Sequence, residues 1–187
     1  MTRSLSDDRP DDPADRTGSD AVADAEPTVV TGGPRADDCG RIKVGVGELA
    51  VTNDDAVLTT SGLGSCVAVA LVDDRTGVRG LLHAMLPAGG GRTTAVSRPA
   101  KYVDAGIDSL IGGDPRRLEA RVAGGAEMLD LTDAVGPRNV ERVGEVLDAA
   151  GVPIVASDVG DTVGRTVRFG PDGRLVVRAA DGFERAI

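Results

Sequence analysis

The 187-residue sequence has one histidine, His83, two cysteines, Cys39 and Cys66, and two lysines against nineteen arginines. A single histidine and no closely spaced cysteine pair exclude the usual zinc-ligand patterns. We therefore expect no metal and no other cofactor. Because the two cysteines are far apart and Cys39 lies in an acidic segment, we also expect no structural disulfide.

Long apolar runs are also missing. Residues 1–12 contain no apolar core of a signal peptide, and no run approaches the ~18 apolar residues of a membrane span. Nor is there a basic stripe interleaved with aromatic residues, the pattern typical of nucleic-acid binding. We expect a cytoplasmic protein that neither inserts into membranes nor binds nucleic acid.

Charge divides the chain into two parts. Residues 1–40 carry ten acidic and four basic side chains, which is −6 of the total formal charge of −9, and few large apolar residues. Such a segment cannot bury enough apolar surface to offset the entropy lost on ordering. We predict a disordered acidic tail over residues 1–40 and a single domain over residues 41–187.

Short apolar segments alternate with turn residues through the rest of the chain. They predict strands at residues 42–51, 56–60, 67–72, 78–83, 118–122, 152–156, 164–169 and 175–178. Residues 88–94 form a glycine-rich segment. It lacks the lysine of a phosphate-binding loop, so we predict a mobile flap instead.

Two segments have helical periodicity. The first is predicted to open at Ser97 and Pro99 and to present one apolar face, and the second to have Asn139 as N-cap and Gly151 as its end. The face of the first consists of Val103, Ile107, Leu110 and Ile111. The fold class that follows is α+β: a layered β-sandwich of mostly antiparallel or mixed strands with two main helices packed on the outside.

The most informative stretch runs from Ala56 to His83 and reads AVLTTSGLGSCVAVALVDDRTGVRGLLH. It places Cys66 and His83 on the two strands of a predicted hairpin. If Asp73 to Thr76 form a four-residue loop, Cys66 lies directly opposite His83, where cross-strand Cβ atoms are about 5 Å apart. A five-residue loop would put them on opposite faces. The even register therefore predicts a thiol nucleophile beside its base.

The glycine turn before Cys66 supports that prediction. Gly64 and Ser65 lie in a turn where successive backbone N–H groups can converge on a developing oxyanion. The alternative is that Cys66 is a small buried apolar residue and that His83 is structural.

An imidazole base also needs a third group to fix its tautomer. Thr60 is a candidate. Its rivals, which spacing does not separate from it, are Thr59, Ser61, Asp104 and Asp158.

Several segments resemble the CheD family of chemoreceptor glutamine deamidases. They occur in the family's order across roughly residues 42–178: GLGSCVAVALVDDRTGVRGLLHAMLP, KYVDAGIDSLI, GGAEML, GPRNVERVGEVLDAAGV and DVGDTVGRTVRFGPDGRLVVR. The resemblance implies a catalytic triad of Cys66, His83 and Thr60. Two positions depart from the family pattern: Ala123 replaces a bulky residue before GGA, and Asp161 replaces a second glycine after DVG.

The resemblance also implies a function. It implies hydrolysis of glutamine side-chain amides in the cytoplasmic helices of methyl-accepting chemoreceptors, and binding to a CheC-type phosphatase. Two alternatives stay open: the same cysteine and histidine could cleave a glutamyl methyl ester or an isopeptide bond, or the chain could be a non-catalytic binder of the phosphatase.

Overall fold

The computed structural model describes residues 40–88, 99–127 and 134–187. The strands of this part of the chain are β1 (Arg41–Lys43), β2 (Leu49–Thr52), β3 (Val57–Leu63), β4 (Val67–Asp73), β5 (Val78–Ala84), β6 (Leu118–Gly124), β7 (Ile154–Val159), β8 (Arg165–Phe169), β9 (Leu175–Ala179) and β10 (Glu184–Ala186). They form two five-stranded sheets. The first sheet has the order β1-β3-β8-β9-β10, and the second has the order β2-β5-β4-β6-β7.

Two α-helices, α1 (Val103–Leu110) and α2 (Val135–Ala150), accompany the sheets in the described residues. Short 3-10 helices at Pro99–Lys101 and Pro115–Arg117 precede α1 and β6. Among the described helices, none has both the length and the apolar character that a membrane crossing requires.

The molecule has three layers with two apolar cores. One core lies between the sheets and joins Leu58, Phe169 and Leu175 of the first sheet to Ala70 and Leu81 of the second. The other core lies between the second sheet and the two helices. Pairing is antiparallel except for β1 with β3 and β6 with β7. The predicted α+β layered sandwich with helices on the outside is confirmed.

The register of the β4–β5 hairpin differs from the prediction. Asp73 pairs with Val78, so the four-residue loop is displaced by one residue and His83 lies opposite Ala68. Asp73 closes this turn, because its carbonyl accepts a hydrogen bond from Gly77 N at 2.9 Å. The predicted direct pairing of Cys66 with His83 is therefore wrong. Moving the loop by one residue shifts the strand pairing by two positions. Cys66 and His83 therefore still face the same side of the sheet, because side chains alternate with a period of two.

The predicted strand at residues 42–51 is divided in two. β1 joins the first sheet and β2 joins the second, with a turn between them in which Gly45 N donates to the Glu48 carboxylate at 3.0 Å. Gly47 has φ of +71° within this turn. Apolar alternation continues through the turn, which is why the sequence pattern predicts one strand.

Helix α2 begins five residues earlier than predicted, because its N-cap is Ala134 and not Asn139. Asn139 is its fifth residue and is fully buried, so the prediction that Asn139 caps the helix is wrong. Pro137 is compatible with the first turn, where backbone N–H groups have no intrahelical partner. The predicted end is confirmed, because Gly151 takes the left-handed conformation at the C-terminus.

Some predictions lie outside the described residues. These are the disordered acidic tail with Cys39, most of the flap at residues 88–94, and Ser97 as the start of the first helix. The predicted apolar face of that helix is confirmed, since Val103, Ile107 and Leu110 are buried against the second sheet.

Strand β5 carries two buried polar side chains that cross between the sheets. Arg79 donates to the carbonyl oxygens of Ala56 at 3.2 Å and Phe169 at 3.3 Å, both on the side of the first sheet. His83 is the other, four residues further along the strand. Each fixes how the two sheets lie against each other, since an unpaired buried polar group would be costly.

Candidate active site

Residues 64–66, here called the nucleophile loop, connect β3 of the first sheet to β4 of the second. Every carbonyl of this loop accepts a hydrogen bond. The donors to Gly64, Ser65 and Cys66 are, in that order, Ala126 N at 2.8 Å, Asn139 Nδ2 at 2.8 Å and Gly125 N at 2.8 Å. Because each peptide unit is planar, holding its carbonyl also sets the direction of the following N–H group.

Two glycines allow β6 to approach the nucleophile loop this closely. A Cβ atom at Gly124 would lie 2.4 Å from the Cys66 carbonyl oxygen, and Gly124 has φ of +104°. A Cβ atom at Gly125 would lie 2.3 Å from Val140. No other residue type fits at these two positions without displacing the loop.

The His83 imidazole is held from the opposite sheet. Thr60 Oγ1 lies 2.7 Å from His83 Nδ1, and both side chains are buried. The other ring nitrogen, Nε2, is buried and has no hydrogen-bond partner among the described residues. An Nδ1–H that donates to Thr60 would leave Nε2 unprotonated and able to accept a proton.

The four rivals of Thr60 have other surroundings. Thr59 Oγ1 donates to the Ile42 carbonyl at 3.5 Å, and Ser61 is exposed. Asp158 accepts from two arginines, Arg165 and Arg185.

The remaining rival lies on the helical side of the second sheet. Asp104 belongs to α1, where its carboxylate accepts from Ala105 N at 2.8 Å and lies near Arg142. Of the five candidates, Thr60 is the one with a hydrogen bond to the imidazole.

Cys66 and His83 face the same side of the second sheet. The Cys66 side chain is half-buried and packs against the core between the sheets, where the His83–Thr60 pair also lies. Cys66 stands one residue before β4, so the displaced register places it diagonally from His83. Diagonal neighbours remain within reach of longer side chains.

Burial keeps both groups neutral in the free protein. Desolvation lowers the pKa of His83 from 6.5 to about 4. Desolvation also raises the pKa of the Cys66 thiol, and the residue's own backbone N–H partly offsets this. Such a site holds a thiol and a neutral imidazole rather than a preformed thiolate–imidazolium pair.

Of the two predicted turn residues, Gly64 has an amide that is already engaged. Gly64 N already donates to the Gly62 carbonyl at 3.1 Å, which closes the turn. A hydrogen bond from the Cys66 backbone N–H to the sulfur of the same residue lowers the thiol pKa. A substrate carbon bound to that sulfur would be attached to the same residue that carries the Cys66 amide.

Asn139 is the site residue that sequence reasoning missed. Its Nδ2 donates to Ser65 O at 2.8 Å and to Met85 O at 3.0 Å. The available signal was its spacing: Asn139 precedes Val143 by four residues and Leu147 by eight, so it belongs to the buried stripe of α2. A polar residue on such a stripe needs buried partners.

An open groove of about 910 Å³ lies beside Gly125, between α2 and the segment that follows β7. Gly125, whose N–H binds the Cys66 carbonyl, forms part of its wall together with Val140 and Val159. Its rim carries the carboxylates of Glu127 and Glu141. A segment lying in this groove would contact Gly125, whose backbone is hydrogen-bonded to Cys66 O.

Comparison with known proteins places this architecture in a family. The family described as CheD chemotactic sensory transduction matches residues 85–179, a range that begins after Thr60, Cys66 and His83. A Haloarcula marismortui protein named "Probable chemoreceptor glutamine deamidase CheD" is 42% identical over 151 residues, which cover 75% of this chain and 86% of that protein. A Thermotoga maritima protein named "Chemoreceptor glutamine deamidase CheD" is 39% identical over 150 residues, which cover 76% of this chain and 94% of that protein.

The agreement extends to other relatives. An Archaeoglobus fulgidus protein with the name "Probable chemoreceptor glutamine deamidase CheD" is 40% identical over 155 residues and is covered over 96% of its length. Identity at this level over most of each protein confirms the resemblance drawn from the motifs. The chain belongs to the CheD family.

Proposed function

We propose that this protein hydrolyses the side-chain amide of specific glutamines in methyl-accepting chemoreceptors, yielding glutamate and ammonia. Cys66 is the nucleophile, His83 the base and Thr60 the group that orients the base. The observation that carries the proposal is the 2.7 Å contact of Thr60 Oγ1 with His83 Nδ1, together with the absence of a partner for Nε2 within the described residues. The names of the relatives supply the substrate class.

In the first half of the reaction, the Cys66 thiol transfers its proton to His83 Nε2 as sulfur attacks the carboxamide carbon. The new carbon–sulfur bond gives a tetrahedral oxyanion beside the Cys66 N–H. His83 then returns the proton to the amide nitrogen as the carbon–nitrogen bond breaks. Ammonia leaves, and a thioester between Cys66 and the substrate remains.

In the second half, water is the nucleophile. His83 takes a proton from water as its oxygen attacks the thioester carbon, and the carbon–sulfur bond breaks. The proton goes back to the Cys66 sulfur, which restores the neutral thiol. The product is a glutamate side chain, so the net reaction consumes one water and releases one ammonia.

The protonation states make this mechanism different from one that starts with a stable thiolate. Because burial lowers the pKa of His83 to about 4, the imidazole stays unprotonated well below neutral pH. Because burial raises the pKa of Cys66, the thiolate forms only as His83 accepts the proton. We expect kcat/KM to stay level from pH 8 to pH 5 and to fall near pH 4.

A receptor helix is a large substrate and needs an open approach to the nucleophile. The groove beside Gly125 is open to solvent, and the Gly125 N–H binds the Cys66 carbonyl; an open groove suits a helical segment better than a closed pocket would. Because the receptor helices are cytoplasmic, the protein would act in the cytoplasm. A CheC-type phosphatase is a further proposed partner, which rests on the family resemblance.

The test is conversion of a receptor cytoplasmic fragment by the purified protein, followed by mass spectrometry of each glutamine-containing peptide. Wild type should convert individual glutamines to glutamate, with release of ammonia. Cys66→Ala and His83→Ala should abolish conversion while the fold, measured by circular dichroism, is retained. Conversion that persists in Cys66→Ala would overturn the mechanism.

Two further measurements separate the alternatives. Incubation with a fragment that carries glutamyl methyl esters tests esterase activity, and ester cleavage without amide conversion would replace the proposed reaction. Binding of Cys66→Ala to a CheC-type phosphatase, with no activity in wild type, would favour the non-catalytic role.

A further inference from the structure

We infer that Asn139 is a positioning residue that orients the Ser65–Cys66 peptide so that the Cys66 N–H faces the oxyanion of the reaction. The inference rests on the proposed function. It concerns a helix side chain that touches neither the sulfur nor the imidazole and acts through the backbone of the nucleophile loop.

The geometry of the loop carries the inference. Asn139 is fully buried, and its Nδ2 donates to Ser65 O at 2.8 Å. In a trans planar peptide the carbonyl and the next N–H point in opposite directions. Holding Ser65 O on the side of α2 therefore turns the Cys66 N–H toward the opposite side, away from the helix.

The second hydrogen bond of Asn139 joins the loop to the strand of the base. Nδ2 also donates to Met85 O at 3.0 Å, one residue beyond the end of β5 and two beyond His83. One amide group thus spans the segment of the nucleophile and the segment of the base. Both acceptors are carbonyl oxygens, which settles that the nitrogen of the amide faces them.

The surrounding contacts make Asn139 the only side chain among the described residues that provides a hydrogen bond to a carbonyl of the nucleophile loop. The Gly64 and Cys66 carbonyls accept from the backbone N–H groups of Ala126 and Gly125, which no substitution except proline removes. The Ser65 carbonyl depends on a side chain. The orientation of the one peptide that precedes the nucleophile is therefore the one open to test by mutation.

The experiment compares Asn139→Ser, Asn139→Asp and Val143→Ala with wild type in the receptor-fragment assay. Val143 lies on the same buried stripe of α2 and has no polar group, so Val143→Ala controls for lost helix packing. For each variant, kcat, KM, thermal midpoint and the alkylation rate of Cys66 by iodoacetamide are measured. Alkylation needs the thiol but no oxyanion donor.

We expect Asn139→Ser to lower kcat about 100-fold with KM within about twofold, as for a lost oxyanion contact. Its Cys66 alkylation rate should stay within about threefold of wild type, because sulfur and imidazole are unchanged. Val143→Ala should keep kcat within about threefold even if its thermal midpoint falls further. A kcat for Asn139→Ser within threefold of wild type, or alkylation that falls in parallel with kcat, would overturn the inference.

Asn139→Asp adds a measurement, the pH dependence of kcat, that would not change if Asn139 had only a structural role. Its ionised carboxylate cannot donate to Ser65 O, but its protonated form can donate one hydrogen bond. The ratio of its kcat to that of wild type should therefore rise as the pH falls from 8 to 5. A ratio that is flat or falls in this range would overturn the inference.

The outcomes separate this inference from the proposed function. No conversion by wild type removes the proposed function, whatever the variants do. Conversion by wild type that Asn139→Ser matches leaves the function and removes the role of Asn139. If neither variant folds, hydrogen exchange of the Asn139 Nδ2 protons in the wild-type chain decides: slow exchange supports the buried clamp, and exchange at the rate of exposed amides removes it.

Discussion

Thr60 and His83 belong to different sheets, and their side chains meet at 2.7 Å in the core between them. The contact is a buried polar cross-link, so it orients the imidazole and also holds the sheets in one relative position. Both side chains are buried, so removal of either one would leave the polar atom of the other with neither water nor a hydrogen-bond partner. Under the proposed mechanism, catalytic geometry and stability are therefore coupled at this pair.

Substitution of Thr60 tests that coupling. Thr60→Val keeps the shape but removes the hydroxyl, so His83 Nδ1 loses its partner. We expect a loss of about 1–3 kcal/mol in the free energy of unfolding and a fall in kcat of about 100-fold. Denaturant unfolding and the receptor-fragment assay measure the two effects.

The neighbouring threonine supplies the matched control. Thr59→Val removes a hydroxyl whose single contact is with Ile42 O at 3.5 Å, away from the imidazole. Its kcat should stay near that of wild type, and Thr60→Ser should recover most of the activity. Equal losses in Thr59→Val and Thr60→Val would contradict the role of the cross-link.

The burial of His83 predicts a pH dependence of stability. The pKa of His83 is about 4 in the folded protein against 6.5 when exposed, so the unfolded state binds a proton first as the pH falls. The contribution of His83 to stability is fully present above pH 6.5 and is lost between pH 6.5 and pH 4. The difference in pKa corresponds to about 3 kcal/mol.

Urea unfolding at intervals from pH 8 to pH 4.5 measures this dependence. The same series with His83→Gln removes the titrating group and should flatten the slope above pH 4.5. An unchanged slope in His83→Gln would show that another group is responsible.

Substitution of Gly124 should displace the nucleophile loop. Gly124→Ala adds a Cβ 2.4 Å from Cys66 O at a residue with φ of +104°. The carbonyl must move, so we expect destabilisation by about 1–3 kcal/mol and reduced kcat. Thermal unfolding and the receptor-fragment assay report both.

A glycine in α2 is the control for this substitution. Gly144 lies in the helix interior, and apart from the helix's own backbone a Cβ there would meet no atom of the described residues within 4 Å. Gly144→Ala should stabilise the protein by about 0.5–1 kcal/mol and leave kcat unchanged. Destabilisation by Gly144→Ala as large as by Gly124→Ala would refute the argument from close approach.

Asp161, one of the two departures from the family pattern, has φ of +62°. An L-residue pays for this left-handed conformation, and glycine does not. We expect Asp161→Gly to raise the free energy of unfolding by about 1 kcal/mol, even though the contact of its carboxylate with Thr162 N at 2.6 Å is lost.

The comparison with Asp161→Ala separates strain from charge. Alanine removes the carboxylate but keeps the Cβ, so it should not stabilise the protein. If both substitutions stabilise equally in denaturant unfolding, removal of a negative charge rather than relief of strain is the cause.

Sequence patterns succeeded where the information was local. Alternation identified most strands, and Gly151 marked the end of α2 because the left-handed cap is a property of that single residue. They failed at residues 42–51, where alternation continues while the chain passes from one sheet to the other. They also failed at Asn139, because a helix start signal and a buried polar contact use the same residue type.

The sequence by itself determined the family, the hairpin that carries Cys66 and His83, and the glycine that ends α2. Each depends on motif order, on the period of two along a strand, or on one residue's backbone freedom. Only the tertiary structure decided which hydroxyl meets His83 and what holds Ser65 O. β3 and β5 share no hydrogen-bonded edge, and α2 is more than fifty residues beyond β5, so these contacts form only when separate layers pack to bury a common core.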